Sequence, residues 1–551
     1  MNIEETKGIS SEHSMLLLAL GLLALLTGVA IFARPMTPID ETRYISVAWE
    51  MWLRGDWLVP YKNGAPYSHK PPLMMWLYQI GWAVFGVSEW WPRLVSPLFS
   101  AAGLFFTMGL AHRLWPKHAG LGGRAVLILA SSLLWIFFST SAMFDVMLAC
   151  FTLLGLHGIL TAAEGRALKG FALLGLAIGL GVLAKGPVIL LHTLPVAVLA
   201  PWWNPGLAWK RWAAGVVGAV LLGAAIALAW AIPAGFAGGE EYQRAIFWGQ
   251  TADRMVQSFA HKRPVWWYLP LLPIMFFPWL VWPGLWRAYR DLARQGLDRG
   301  ARFCLAWMLP VFVAFSLISG KQMHYLIPIF PAFALLSARA LAGSVRGSAR
   351  ALAGSVRGSL WLPAFLAVLV GAGLSALALG RVTLPKNSLA ELPLFWPALV
   401  LIAVMPALWY WARRSTRQLP ALTVVGVIFA ALLQLSLTSA FHADYDVRPF
   451  AGAIRQAQEA GRVVANGDFY HDQFHFAGRL RQPLVAFEND KKMAGWLTAH
   501  PDALAVLYLK NDKRLQGLSV VAVHRYIGGV AALLEAPVAI SLLPPAEDKK
   551  Q

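Results

Sequence analysis

The stretch TPIDETRYISVAWEMWLRGDWLVPYKNGAPYSHKPPL, residues 37–73, gathers Asp40, Glu41, Arg43, Asp56, His69 and Lys70 in one connection of a hydrophobic chain. Further polar residues stand in other short connections: Asp145 in MFDV, Lys185 in LAKGP, His261 and Lys262 in FAHKRP, and Lys321 and Tyr325 in GKQMHY. Cations that converge at a membrane surface suit a lipid phosphate, with arginine offering forked donors and lysine a point charge. Acids beside them suit glycosyl transfer, where a carboxylate orients a sugar, binds its amine or hydroxyls, or steadies an oxocarbenium-like centre. Ordinary juxtamembrane ion pairs, each worth little, account for any one of these connections taken alone.

The first of these segments reads as a helix. Thr37 suits an N-cap, Pro38 the first helical position, and Asp40 the acid of a capping box. At 100° per residue, Tyr44, Ile45, Ala48, Trp49 and Trp52 share one face, and Asp40, Arg43, Glu50 and Arg54 the other. The expectation is an amphipathic helix lying in the membrane interface, with Glu41 placed oddly on its apolar side.

The elements that position these residues are membrane spans. Of 551 residues, 58% are hydrophobic, and mean hydropathy is +0.56, a balance rare in a soluble chain of this length. Thirteen spans are expected, at roughly 14–34, 92–111, 125–143, 146–163, 170–184, 187–203, 213–233, 265–286, 303–319, 326–341, 361–380, 395–412 and 420–440. The first is too long for a signal-peptide core and no small-residue cleavage site follows it, so it is read as retained. The net charge of +19 is explained by topology and not by nucleic acid. Six alternate connections are basic, among them those with Arg113 and Lys117, with Arg287, Arg290 and Arg294, and with Arg413 and Arg414. If these face the cytoplasm, the N-terminus is inside, while residues 37–73 and the C-terminus are outside. Cys150 and Cys304 lie in apolar segments and suggest neither a disulfide framework nor a metal cluster.

Two other features complete the chain. SARALAGSVRG occurs at 337–347 and again at 348–358, a tandem copy assigned no chemistry. From residue 441 a small α/β domain is expected, with a helix from Arg448 to Ala460 and short strands at Arg462–Ala465, Leu504–Leu509, Ser519–Val523 and Gly529–Leu534. His471, Asp472 and His475 could bind a ligand, but hydrated surface is the preferred reading.

Taken together, PIDETRY (38–44), GDWLVP (55–60), YSHKPPL (67–73), Phe144–Asp145, LAKGP (183–187), FAHKRPVWWYLP (259–270) and SGKQMHY (319–325) give the chain a resemblance to the GT-C glycosyltransferases. The nearest likeness is to the bacterial transferases that add 4-amino-4-deoxy-L-arabinose to lipid A. The resemblance implies a polytopic α-helical GT-C fold over residues 1–440, with interfacial helices in a first periplasmic loop at 37–90, and a periplasmic α/β domain at 441–551. It implies an undecaprenyl-phosphate-linked aminosugar as donor, lipid A as acceptor, a site on the periplasmic side of the inner membrane, and resistance to polymyxin-type peptides. Asp40, Glu41 and Asp145 become the expected catalytic residues. Arg43, Lys70, Lys185, His261, Lys262, Lys321 and Tyr325 become the expected phosphate ligands. The family commonly carries an acid before the lysine of the EKP motif; His69 stands there instead and is the candidate metal ligand, for a divalent cation such as zinc. No cofactor is required by the motifs, and a monomer among membrane lipids is expected. Asp40 either binds charge on the donor or acts as a base. The alternative activity is transfer from a polyprenyl-phosphate sugar to another acceptor, such as a protein hydroxyl. A transporter is disfavoured, since the charges crowd one face and no inverted repeat is visible.

Overall fold

A computed structural model of the chain describes residues 3–249, 262–343, 361–378, 395–414, 418–468 and 470–543. Helix α1 (Ile3–Ala33) leads into α2 (Asp40–Arg54), a hairpin of β1 (Tyr61–Lys62) and β2 (Ala65–Pro66), α3 (Leu73–Phe85) and α4 (Trp90–Leu114). There follow α5 (Leu121–Ala130), α6 (Leu133–Ser139), α7 (Phe144–Ala163), α8 (Ala167–Lys185) and α9 (Val188–Val198), with further helices up to Gln418–Tyr445.

Among the described residues, seven helices are long and apolar enough to cross a membrane, the pair α5–α6 adds a bent eighth, and Trp361–Ala378, Phe395–Arg414 and Gln418–Tyr445 are helices of 18, 20 and 28 residues. These eleven, α9 and the apolar stretch Val265–Met275 coincide in position with the thirteen expected spans. Continuity is where the expectation fails. The span expected at 265–286 divides into a 3-10 turn Val265–Leu271, the short helix Leu272–Met275 and a separate helix from Pro283, in a stretch interrupted by five prolines between 264 and 283. The 72° bend between α5 and α6 also has an identifiable cause. Ser131 and Ser132 turn their hydroxyls onto the carbonyls of Leu127 and Ile128, and the freed Leu133 N–H bonds to the Phe277 carbonyl instead.

The α7–α8 hairpin depends on two glycines. A Cβ on Gly158 would stand 2.7 Å from the Gly170 carbonyl oxygen, and one on Gly170 would stand 2.3 Å from the Ala162 nitrogen. Close backbone approach of this kind is how helices pack in a membrane, where lipid tails are as apolar as the side chains and give no hydrophobic drive.

Helix α2 departs from the expected interfacial helix in two ways. It begins at Asp40, with no side-chain cap at Ile39. The reach-back expected of Asp40 is made by Glu41, whose Oε2 accepts the Thr37 N–H at 2.9 Å. Further, ten of its fifteen residues are buried, Glu41 and Glu50 included. The C-terminal region covers α2 around Ser46, Trp49 and Glu50, so that only Asp40 and Arg54 of the polar face stay open: Ser46 Oγ donates to the Asp472 carbonyl at 2.8 Å, and Trp49 Nε1 to the Leu480 carbonyl at 2.9 Å.

That C-terminal region has the helix Arg448–Glu459 and strands β3 (Val464–Asn466), β4 (Val485–Ala486), β5 (Leu504–Leu509), β6 (Ala522–Tyr526) and β7 (Gly529–Glu535). The sheet order is β4-β3-β5-β7-β6, parallel at β3 and antiparallel at β7. Phe450 and Ile454 from the helix pack with Val464, Leu504, Val506 and Leu533 to form one core. Strands β5 and β7 match expectation to within one residue, β3 and β6 begin two and three residues late, and β4, two residues long, was not foreseen. Asp472 and His475 are buried, not hydrated surface as expected, because α2 and the β1–β2 hairpin close over them.

Candidate active site

Asp145 occupies the first turn of α7 and Lys185 the last residue of α8. Each therefore sits at the end of a helix whose dipole favours its charge. Lys185 Nζ and Asp145 Oδ1 form an ion pair, with side chains 11% and 1% exposed. Asp145 Oδ2 is buried without a partner. Such a pair is tolerated in a membrane protein only when its charges answer each other or serve a ligand.

The other candidates gather around this pair. Lys185 Nζ lies 5.3 Å from the centre of the Tyr325 ring, and Lys70 Nζ lies 5.6 Å from that of Phe144. Tyr44 meets Phe144 edge-on at 4.7 Å. His324, between Phe138 and Tyr325, is in the electrostatic reach of Asp145, Lys185, Asp40 and Lys70 together. Four charged residues from three separate segments, Asp40, Lys70, Asp145 and Lys185, thus all act electrostatically on one imidazole, which Tyr325 meets edge-on at 4.9 Å. His324 was not among the expected site residues; the signal was its place beside Tyr325 in SGKQMHY.

Asp40 is the open carboxylate of the group, its side chain 47% exposed. It accepts from the Arg43 guanidinium and, at 3.2 Å, from the Tyr44 hydroxyl. Its neighbour Glu41 is the reverse. Arg34 donates to both Glu41 oxygens, at 2.7 and 3.1 Å, and the Thr37 and Ala142 N–H groups add bonds of 2.9 and 2.8 Å. Burial alone would raise this carboxyl, but the Arg34 and Arg93 guanidiniums and those donors hold it down to about 2. Both oxygens are committed to the protein, so Glu41 ties α2 to the end of α1 and to the α6–α7 connection, and so fixes Asp40 relative to Asp145.

Three expected phosphate ligands stand elsewhere or are not described. Lys321 is buried, with its ammonium donating to the Arg263 carbonyl at 3.0 Å and to that of Ile318. Lys262 is exposed and bridges Gly320 through its backbone. His261 lies outside the described residues. His69 is exposed beside Tyr67 at 5.2 Å and joins no group of three potential metal ligands among the described residues.

The sequence profile of the dolichyl-phosphate-mannose-protein mannosyltransferase family matches residues 69–234. The chain is 34% identical over 298 residues to an undecaprenyl phosphate-alpha-4-amino-4-deoxy-L-arabinose arabinosyl transferase of Edwardsiella ictaluri, covering 52% of either chain. It is 34% identical over 323 residues to the enzyme of that name in Pseudomonas aeruginosa, covering 57% of this chain and 56% of that one. The match thus spans about half the length of these curated relatives. Against crystal structures, the chain superposes on ArnT from Cupriavidus metallidurans, apo and bound to undecaprenyl phosphate. The TM-score is 0.73 for both, at 20% and 21% identity, covering 97% of this chain and 99% of that one. The chain has the ArnT fold. Within this ArnT fold Phe144 is the pivot of the candidate site: Tyr44 touches its edge, Lys70 lies over it, and Asp145 follows it in the chain.

Proposed function

We propose that this membrane protein transfers 4-amino-4-deoxy-L-arabinose from undecaprenyl phosphate to a lipid A phosphate, on the periplasmic side of the bacterial inner membrane. The observation that carries the reading is the buried Lys185–Asp145 pair with Asp145 Oδ2 left open, flanked at Phe144 by Lys70 and by Tyr44, whose hydroxyl bonds Asp40. Lysine ammoniums answer the two anionic phosphates that a lipid-to-lipid transfer brings together. Asp40, half-open and adjacent to them, binds the sugar's 4-ammonium or steadies positive charge at its anomeric carbon. A lipid phosphate acceptor is already an anion, so Asp40 has no proton to remove, and the course is a direct, inverting displacement. Glu41 acts as a positioning residue. The six basic connections support a cytoplasmic N-terminus and a periplasmic C-terminal domain, and the arrangement fits a protein that lowers the negative charge of lipid A and so protects against polymyxin.

The match of residues 69–234 to mannosyltransferases favours one second reading, transfer of a polyprenyl-phosphate sugar to a protein hydroxyl. Incubating the purified protein with undecaprenyl-phosphate aminoarabinose, and with either lipid A or a hydroxyl-bearing peptide, separates the two. Modified lipid A read by mass spectrometry is expected; modified peptide alone would replace the first reading by the second.

A further inference from the structure

Away from the membrane site, Glu50 of α2 meets Asp472 and His475 of the C-terminal region. One ligating atom from each residue lies within 4.8 Å of the others. All three are buried, at 6%, 0% and 2% exposure. Asp472 stands at φ 60°, left-handed backbone that aspartate tolerates better than most residues. Its Oδ2 accepts the Asn63 N–H at 2.9 Å, while its Oδ1 is buried with no partner. Glu50 Oε2 accepts the Gly64 N–H at 2.8 Å, and Oε1 accepts that of Asn63. His475 Nδ1 is bonded to the Tyr470 hydroxyl at 2.8 Å, which leaves Nε2 facing Glu50 Oε1 at 3.9 Å.

Two carboxylates buried side by side need positive charge between them, a shared proton or a metal cation. The nearby cations do not supply it by contact: Lys62 Nζ donates to the Tyr470 carbonyl and Arg54 to the Gly64 carbonyl. We propose that Glu50, Asp472 and His475 form a structural site for a divalent cation of the zinc class, which pins α2 to the C-terminal domain. Zinc takes nitrogen and carboxylate oxygen at about 2.0–2.2 Å in a four-coordinate shell, so the three side chains leave one position for a water or a second carboxylate oxygen, and a metal held only by the folded chain contributes folding free energy. The Asn63 and Gly64 N–H groups and the Tyr470 hydroxyl then serve to orient the ligands, the part that outer groups play in metal sites.

The test uses the full chain in detergent, stripped with a chelator and titrated with zinc chloride, followed by elemental analysis and thermal unfolding. Wild type is expected to take up one tightly held equivalent and to gain several degrees in Tm. Asp472→Asn and His475→Gln should each lose that equivalent and the gain. Zinc uptake unchanged in both variants would assign it to other histidines and overturn the site, as would a wild type whose Tm ignores zinc. Should neither variant fold, the zinc-edge absorption spectrum of loaded wild type decides: a shell of one imidazole nitrogen with oxygens supports the site, and any other shell overturns it.

Discussion

Lys185 Nζ meets Asp145 Oδ1 where the C-terminal end of α8 faces the N-terminal end of α7, and Asp145 Oδ2 is left without a partner. A buried pair of this sort is costly to break on one side only. Lys185→Met should destabilise by about 3–5 kcal/mol, while Lys185→Met with Asp145→Leu should recover most of that loss, because it removes both charges. Transfer should be absent in both. Thermal unfolding and a transfer assay read the two effects separately; a double variant as unstable as the single one would show that the lost charge balance is not the cause.

Asp40 contributes no cap to α2, so Asp40→Asn should alter stability by less than about 1 kcal/mol. Transfer should nevertheless fall about 100- to 1,000-fold, as when one electrostatic group is removed from a reacting centre. The deficit should persist as pH rises. Recovery in alkali would make Asp40 a base for a hydroxyl acceptor.

Lys70 precedes Pro71, which disfavours a helical backbone at the lysine, and its ammonium lies over Phe144. Lys70→Ala should leave the protein folded and weaken binding of undecaprenyl phosphate about 10- to 100-fold, the range for one charge-assisted contact. Titration with that lipid measures it directly, and unchanged affinity would remove Lys70 from the phosphate site.

Glu41 gives a pH signature. Its carboxyl titrates near 2 when folded, against an ordinary value of 4.5. Its stabilisation is therefore complete above about 4.5 and is lost as pH falls towards 2. That interval corresponds to about 3 kcal/mol. Wild type should lose this stability between pH 5 and 2, whereas Glu41→Gln should begin less stable at neutral pH and show a flatter profile over the same range. Parallel profiles for the two proteins would show that the Arg34–Glu41 pair does not set the acid response.

The positions of the apolar segments were legible because membrane helices announce themselves by composition, and the chemistry-bearing motifs by their charges among apolar neighbours. What the sequence hid was pairing over distance. Lys321 reads like Lys185, a lone cation beside a glycine, yet one reaches a carboxylate and the other two backbone carbonyls. Glu41 reads like Asp40, yet its partners are Arg34 and a backbone N–H 101 positions away. The periodicity of α2 correctly separated two faces but not what would cover the second. One local signal went unread: the Asn63-Gly64 pair, both at positive φ, turns β1 into β2 as such dipeptides do, and its N–H groups meet Glu50.

The covered second face of α2 has a temporal side. Ser46 finds its partner 426 residues further along the chain. At about 5–20 residues per second, the ribosome delivers that partner roughly 20–85 s after α2 has emerged. Throughout that interval Glu50 and the indole nitrogen of Trp49 must be served by water, by lipid headgroups or by an assisting protein. The nascent chain therefore carries an unfinished first loop until a segment made 426 residues later completes it.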